Sequence, residues 1–182
     1  MTIEGTAAWR AAVRHLLTVA GLGLALVSPA LAGGAETYDD PFAYCRAVGT
    51  VDAPDDRYDG PAIPDLLAEK LRAAVGAPED APLGLFREGA IWRCMDGAVF
   101  ACTVGANLPC ATKADSGRTP SEPMRQFCRE QPDAPVIPAV VTGRATVYGW
   151  RCAGGEAVAE GPPRAIDSAG FLADIWYRLE PD

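Results

Sequence analysis

The sequence predicts a small α+β fold: a short antiparallel sheet or open barrel built from two hairpins plus a C-terminal strand, with one main packed helix and three disulfides. Three observations carry this. Apolar and β-branched runs flank Asp96-Gly97 and Gly154-Gly155, as hairpins require. One apolar stripe at helical spacing lies between Pro64 and Val75, and all six cysteines follow residue 32.

Arg10 and Arg14 precede the apolar run Leu16 to Val27, which ends in Ser28-Pro29-Ala30-Leu31-Ala32. A basic flank, a short apolar core and an Ala-x-Ala end predict a signal peptide over residues 1–32, because the core is shorter than the ~20 residues a spanning helix needs. Cleavage is expected after Ala32. Residues 33–182 then form a single disulfide-stabilised exported domain, periplasmic or secreted, with no membrane insertion after cleavage. No cysteine at the junction marks a lipid anchor, and the two arginines are not adjacent as in the twin-arginine route.

The chain carries a net charge of −8, and removing Glu4, Arg10 and Arg14 with the leader takes it to −9. That balance repels phosphate backbones and anionic lipid, so nucleic acid is not an expected partner. The only histidine, His15, lies in the leader. The mature chain thus lacks Ser-His-Asp and Cys-His catalysis, His-ligated metals and the usual pH switch. No Cys-x-x-Cys occurs; Cys102 and Cys110 are no closer than eight residues apart, the same spacing as Cys94 and Cys102. Neither a metal nor a cofactor is expected. Cys45, Cys94, Cys102, Cys110, Cys128 and Cys152 read as disulfides of an oxidising compartment.

From Gly33 to Pro61 the chain reads as an irregular lead-in with one apolar patch, Pro41 to Cys45. Asp52, Asp55, Asp56 and Asp59 crowd the following loop, but their spacing is not that of an EF-hand, so a solvated turn is expected before a calcium site. Pro64 to Val75 is the main helix, with acidic Asp65 in its first turn and Arg72 and Gly76 at its end. Leu67, Leu71, Ala74 and Val75 form its apolar stripe.

Counting out from Asp96-Gly97 pairs Met95 with Ala98, Cys94 with Val99, Arg93 with Phe100, Trp92 with Ala101 and Ile91 with Cys102. Ile91, Arg93, Met95, Ala98, Phe100 and Cys102 then share one face; Trp92, Cys94, Val99 and Ala101 share the other. Cys94 and Cys102 therefore cannot bond to each other.

Lys113 to Pro123 reads as an exposed loop. Its Asp115-Ser116-Gly117 resembles the aspartic-protease triplet but lacks the preceding apolar strand and a second copy. Ser121 is expected to cap a short helix running to about Glu130 and bearing Phe127 and Cys128. Ala139 to Val141 and Ala145 to Tyr148 read as short strands, Tyr148 to Val158 as the second hairpin, and Phe171 to Leu179 as a terminal strand.

Trp92-Arg93-Cys94-Met95-Asp96-Gly97 aligns with Trp150-Arg151-Cys152-Ala153-Gly154-Gly155, turn on turn, and Tyr44-Cys45-Arg46 matches Phe127-Cys128-Arg129. The match suggests an internal repeat, with Cys45 paired to Cys94 and Cys128 to Cys152, leaving Cys102 to Cys110, one of fifteen connectivities; chance similarity of two hairpins is the competing reading.

No catalytic residue is assigned. Glu88, Asp96, Glu156 and Asp174 lie near the hairpins, and nothing singles out two of them as an acid and a base. Trp92, Arg93, Trp150 and Arg151 are the candidate interface residues, since Trp and Arg are typical hot spots. The competing reading packs both tryptophans against disulfides and leaves both arginines solvated. The two Trp-x-Cys turns give the chain a resemblance to periplasmic inhibitors of c-type lysozyme, confined to those six-residue stretches and without an inhibitory loop. The function expected is a non-catalytic periplasmic or secreted binding module, an inhibitor or envelope-associated factor with a protein or envelope component as partner. The alternatives are a carboxylate-dependent envelope hydrolase and a structural or stress-protective exported protein without a discrete site. Gly105 to Pro109 and Lys113 to Pro120 are the loops expected to carry a functional surface; oligomeric state is left open.

Overall fold

Asp96 and Gly97 adopt φ of 53° and 76°, the two left-handed positions of a type I′ turn, and the first hairpin grows from them. The computed structural model describes residues 36–103 and 108–182; the predicted leader and most of the Gly105 to Pro109 loop lie outside the described residues. Strands β1 (Ala90–Met95) and β2 (Ala98–Thr103) pair antiparallel, Met95 facing Ala98 and Ile91 facing Cys102, in the register counted from the turn. β5 (Tyr177–Leu179) joins the free edge of β2. A second hairpin, β3 (Gly149–Ala153) and β4 (Glu156–Glu160), turns at Gly154-Gly155 and forms its own two-stranded sheet. The fold is α+β with small antiparallel sheets and three disulfides, the two hairpins lying in separate sheets.

Five helices accompany the sheets among the described residues: α1 (Pro41–Val48), α2 (Asp65–Ala74), α3 (Gly84–Glu88), α4 (Glu122–Glu130) and α5 (Ala139–Thr142). None is long and apolar enough to cross a membrane. α2 is the main helix expected, burying Leu67, Ala68 and Leu71. α1 falls where an irregular lead-in is expected. Asp40 starts it by accepting from the Ala43 N–H at 2.6 Å, with Pro41 in the first turn where no N–H is needed.

Four further expectations are corrected. Ser121 precedes α4, but its side chain makes no capping bond. Ala139 to Val141 forms helix α5, not a strand: Pro138 leads in at φ −61° and Gly143 ends it at φ 85°, so local turn chemistry overrides the β preference of two valines. Of Ala145 to Tyr148 only Thr146 is bridged, to Asp115. The terminal segment is strand only over Tyr177–Leu179. Phe171, Leu172, Ile175 and Trp176 are all buried because a short 3₁₀ turn at Ala173–Ile175 breaks the alternation.

The first hairpin is covered on both faces. Trp92, Cys94, Val99 and Ala101 pack on Phe42, Tyr44, Leu67 and Leu71 from α1 and α2. Cys102, Ile91 and Phe100 meet Phe171, Leu172 and Trp176 on the opposite side. A third core joins α4 to the second hairpin through Met124, Cys128, Ile137, Trp150 and Cys152.

The disulfides are Cys45–Cys94, Cys102–Cys110 and Cys128–Cys152, the pairing the repeat suggests. The repeat extends well beyond the cysteines. In each copy a helix cysteine bonds the first strand of a hairpin, and the chain leaving the helix then runs past the turn. Gly97 N–H donates to the Gly49 carbonyl at 2.9 Å, and Gly155 N–H to Pro132 at 3.0 Å. Asp96 N–H reaches Thr50 Oγ1 at 2.9 Å, and Gly154 N–H reaches Asp133 Oδ1 at 3.2 Å. Cys94 N–H donates to Val51 at 3.0 Å, and Cys152 N–H to Ala134 at 2.9 Å. The acceptors stand four, five and six residues after the helix cysteine in both copies. The described residues thus contain a helix–hairpin unit twice, each copy stapled by its own disulfide.

Candidate binding cleft beside Trp92

The equivalence of the two repeats stops three residues further on. In the second repeat Ile137 N–H donates to the Trp150 carbonyl at 2.7 Å, and its side chain is 3% exposed in the third core. The equivalent residue in the first repeat, nine after the helix cysteine, is Pro54. Proline has no N–H to give. Among the described residues none donates to the Trp92 carbonyl.

An apolar cleft of about 600 Å³ opens at that place. Ala90, Ile91 and Trp92 of β1 form its floor. Ala53, Pro54, Tyr58, Ala62 and Ile63 form one wall, and Ala111, Lys113 and Phe171 form the other. The volume lies within the range of ligand sites.

Both walls are built from side chains fixed elsewhere. Trp92 donates its indole N–H to the Ala62 carbonyl at 2.7 Å and meets Tyr58 and Tyr44 edge-on, at 4.9 and 5.8 Å between ring centroids. Tyr58 donates its hydroxyl to the Pro61 carbonyl at 3.2 Å. Burial, reinforced by the negative charges of Asp40, Asp39 and Asp59, pushes the Tyr58 phenol up to about 12, so it remains a neutral donor at physiological pH. The Asp52 to Asp59 loop is held by Asp55, whose N–H donates to the Tyr44 hydroxyl at 3.0 Å and whose carboxylate binds Arg57. That guanidinium holds the Asp55 carboxyl well below the usual carboxylate range.

At the rim Lys113 Nζ lies 2.6 Å from Asp52 Oδ2 and 2.5 Å from the Ala169 carbonyl, and 3.9 Å from the centroid of Phe171. The other side of the Phe171 neighbourhood is governed by Arg93. Its guanidinium has no solvent exposure, pairs with Asp167, and lies 4.6 Å from Phe171, 4.4 Å from Trp176 and 5.5 Å from Phe100. Asp167 also accepts the N–H groups of Ala169 and Phe171 at 2.9 and 3.0 Å. Arg93 thereby sets the loop that carries the cleft wall. Its Nε and the Trp176 indole nitrogen are buried without a hydrogen-bond partner.

The four candidate interface residues are not one surface. Trp92, Arg93 and Trp150 are buried, and Arg93 is an enclosed ion-pair partner, neither solvated nor free for contact. Arg151 is half-exposed and lies 3.5 Å from Glu160. Trp92 alone contributes to the cleft. Among the described residues that line the cleft Asp52 is the one carboxylate, already paired with Lys113, with no second one beside it to act as its partner. Asp174 is held by Arg164 at 3.0 and 2.7 Å. Among the described residues no three His, Cys, Asp or Glu side chains are grouped as metal ligands.

Sequence reasoning missed Pro54, Phe171 and Asp167 as determinants. Extending the alignment nine residues past Cys45 and Cys128 would have set Pro54 against Ile137; Asp167 has no such signal. The class defined by this geometry is a disulfide-stapled α+β domain made of two helix–hairpin repeats, one closed and one open. Searches of protein-family models, curated proteins and solved structures find no match to this chain.

Proposed function

We propose that the protein is a non-catalytic binding module of the periplasm or the secreted space, an inhibitor or envelope-associated factor, and that it binds through the cleft beside Trp92. The observation that carries this reading is the apolar character of a cleft of about 600 Å³ whose one charged pair is already neutralised. Burial of apolar ligand surface drives binding in such a site, at roughly 25 cal/mol per Å² before ordering costs. Three disulfides fit an oxidising compartment.

N-phenyl-1-naphthylamine, a neutral fluorescent apolar probe, tests the site. One probe should bind per chain, and Ala53→Trp and Ala111→Trp, both at exposed wall positions, should each weaken binding about tenfold or more by filling the mouth. Binding that neither variant changes would place the site elsewhere. Release of soluble sugar from peptidoglycan by the purified protein would overturn the non-catalytic reading.

A further inference from the structure

Building on the cleft as a binding site, we infer that its occupant is an extended apolar segment of another polypeptide, added to the open edge of β1, with an aliphatic side chain where Ile137 sits in the second repeat. β1 is an edge strand in the order β1-β2-β5. Cys94 exchanges both backbone hydrogen bonds with Val51, at 3.0 and 3.1 Å. In an antiparallel strand every second residue presents its N–H and C=O to the same edge, so Trp92 and Ala90 face the side on which Val51 lies. Val51 closes that edge at Cys94 only.

The second repeat displays what a closed edge looks like. There one residue supplies both an N–H to the tryptophan carbonyl and a buried aliphatic side chain to the core. In the first repeat Pro54 supplies neither the N–H nor a fully buried side chain, and the next residue, Asp55, gives its N–H to Tyr44. A hydrocarbon ligand could fill the cleft but would bury the Trp92 carbonyl without a donor, which is costly. An extended peptide supplies the donor and the apolar side chain together, the combination used in strand addition. The neutral Lys113–Asp52 pair at the rim demands no net charge of that segment.

The probe for the test is acetyl-Ala-Pro-Val-Ile-Pro-amide, the sequence of residues 134–138 as a blocked peptide. Titrated into the full exported chain at up to millimolar concentration, it should bind one to one, displace N-phenyl-1-naphthylamine and shift the amide resonances of Ala90, Ile91 and Trp92. Methylating the isoleucine nitrogen should weaken binding about tenfold, because it removes the one donor the open carbonyl needs. Replacing that isoleucine by aspartate should abolish binding. Failure of the peptide to displace the naphthylamine, or equal binding of the parent and the N-methyl peptide, would overturn strand addition while leaving the cleft as an apolar site. If neither peptide nor naphthylamine binds, both readings fall.

Discussion

Arg93 occupies a strand position whose alternation assigns it to the same face as Phe100 and Cys102. The sequence pattern stops there, because it does not reveal that Phe171, Leu172 and Trp176 return from the far end of the chain to cover that face. Once covered, the guanidinium must be paired, and Asp167 pairs it. Breaking a buried pair by removing one partner leaves an uncompensated charge, at about 3 to 5 kcal/mol. Arg93→Met should therefore lower unfolding stability in urea by about 3 kcal/mol, and adding Asp167→Asn should recover part of it. A loss below about 1 kcal/mol would show that the pair does not fix the Asp167 to Phe171 loop.

A second residue-scale effect concerns acid. Asp55 has its folded pKa depressed by Arg57, so its contribution to stability is complete above its unfolded value of about 4 and is lost as pH falls toward the folded value. Asp55→Asn should flatten the fall in urea midpoint between pH 4 and pH 2.5 relative to the unmodified protein. Parallel curves for the two proteins would assign the acid limb to other carboxylates.

Among elements, the first hairpin was fully legible because one Asp-Gly turn fixes a period-two register and every pairing follows from it. The cysteine pairing was legible for a different reason: the aromatic-Cys-Arg and Trp-Arg-Cys segments each occur twice, which suggests one bond per copy, and the structure forms both. α1 was not read, although Asp40-Pro41 is a start signal, since eight residues leave too short a stripe for periodicity to register. The terminal segment misled through its alternating side chains, which in the fold are buried on both sides of a 3₁₀ turn.

The staples also rank by the loops they close. Cys45–Cys94 spans 49 residues, Cys128–Cys152 spans 24 and Cys102–Cys110 spans 8. Chain-entropy estimates put their contributions at roughly 4, 3.5 and 2.5 kcal/mol. Paired Cys→Ala variants should lose thermal stability in that order, as read by the midpoint of unfolding. A Cys102/Cys110 variant that proved the weakest of the three would indicate that strain or residual unfolded structure outweighs loop entropy.

At the level of the whole molecule, the two faces of one hairpin are tied together at the cleft. Trp92 and Tyr58 reach it from the first core, while Ile91 and Phe171 reach it from the second. The class of fold could be read from patterning, but the cleft could not, since it arises from segments distant in sequence that share no motif. The one sequence trace of it is the proline that replaces Ile137. The proposed binding function rests on that difference between the two repeats. The most direct measurement is the affinity of Pro54→Ile and Pro54→Ala for N-phenyl-1-naphthylamine. Pro54→Ile restores both the N–H and the aliphatic side chain, and should close the cleft and weaken the probe about tenfold or more, whereas Pro54→Ala restores only the N–H and should retain binding. Unchanged binding in Pro54→Ile, with one probe still bound per chain, would contradict the assignment of the cleft to the missing residue.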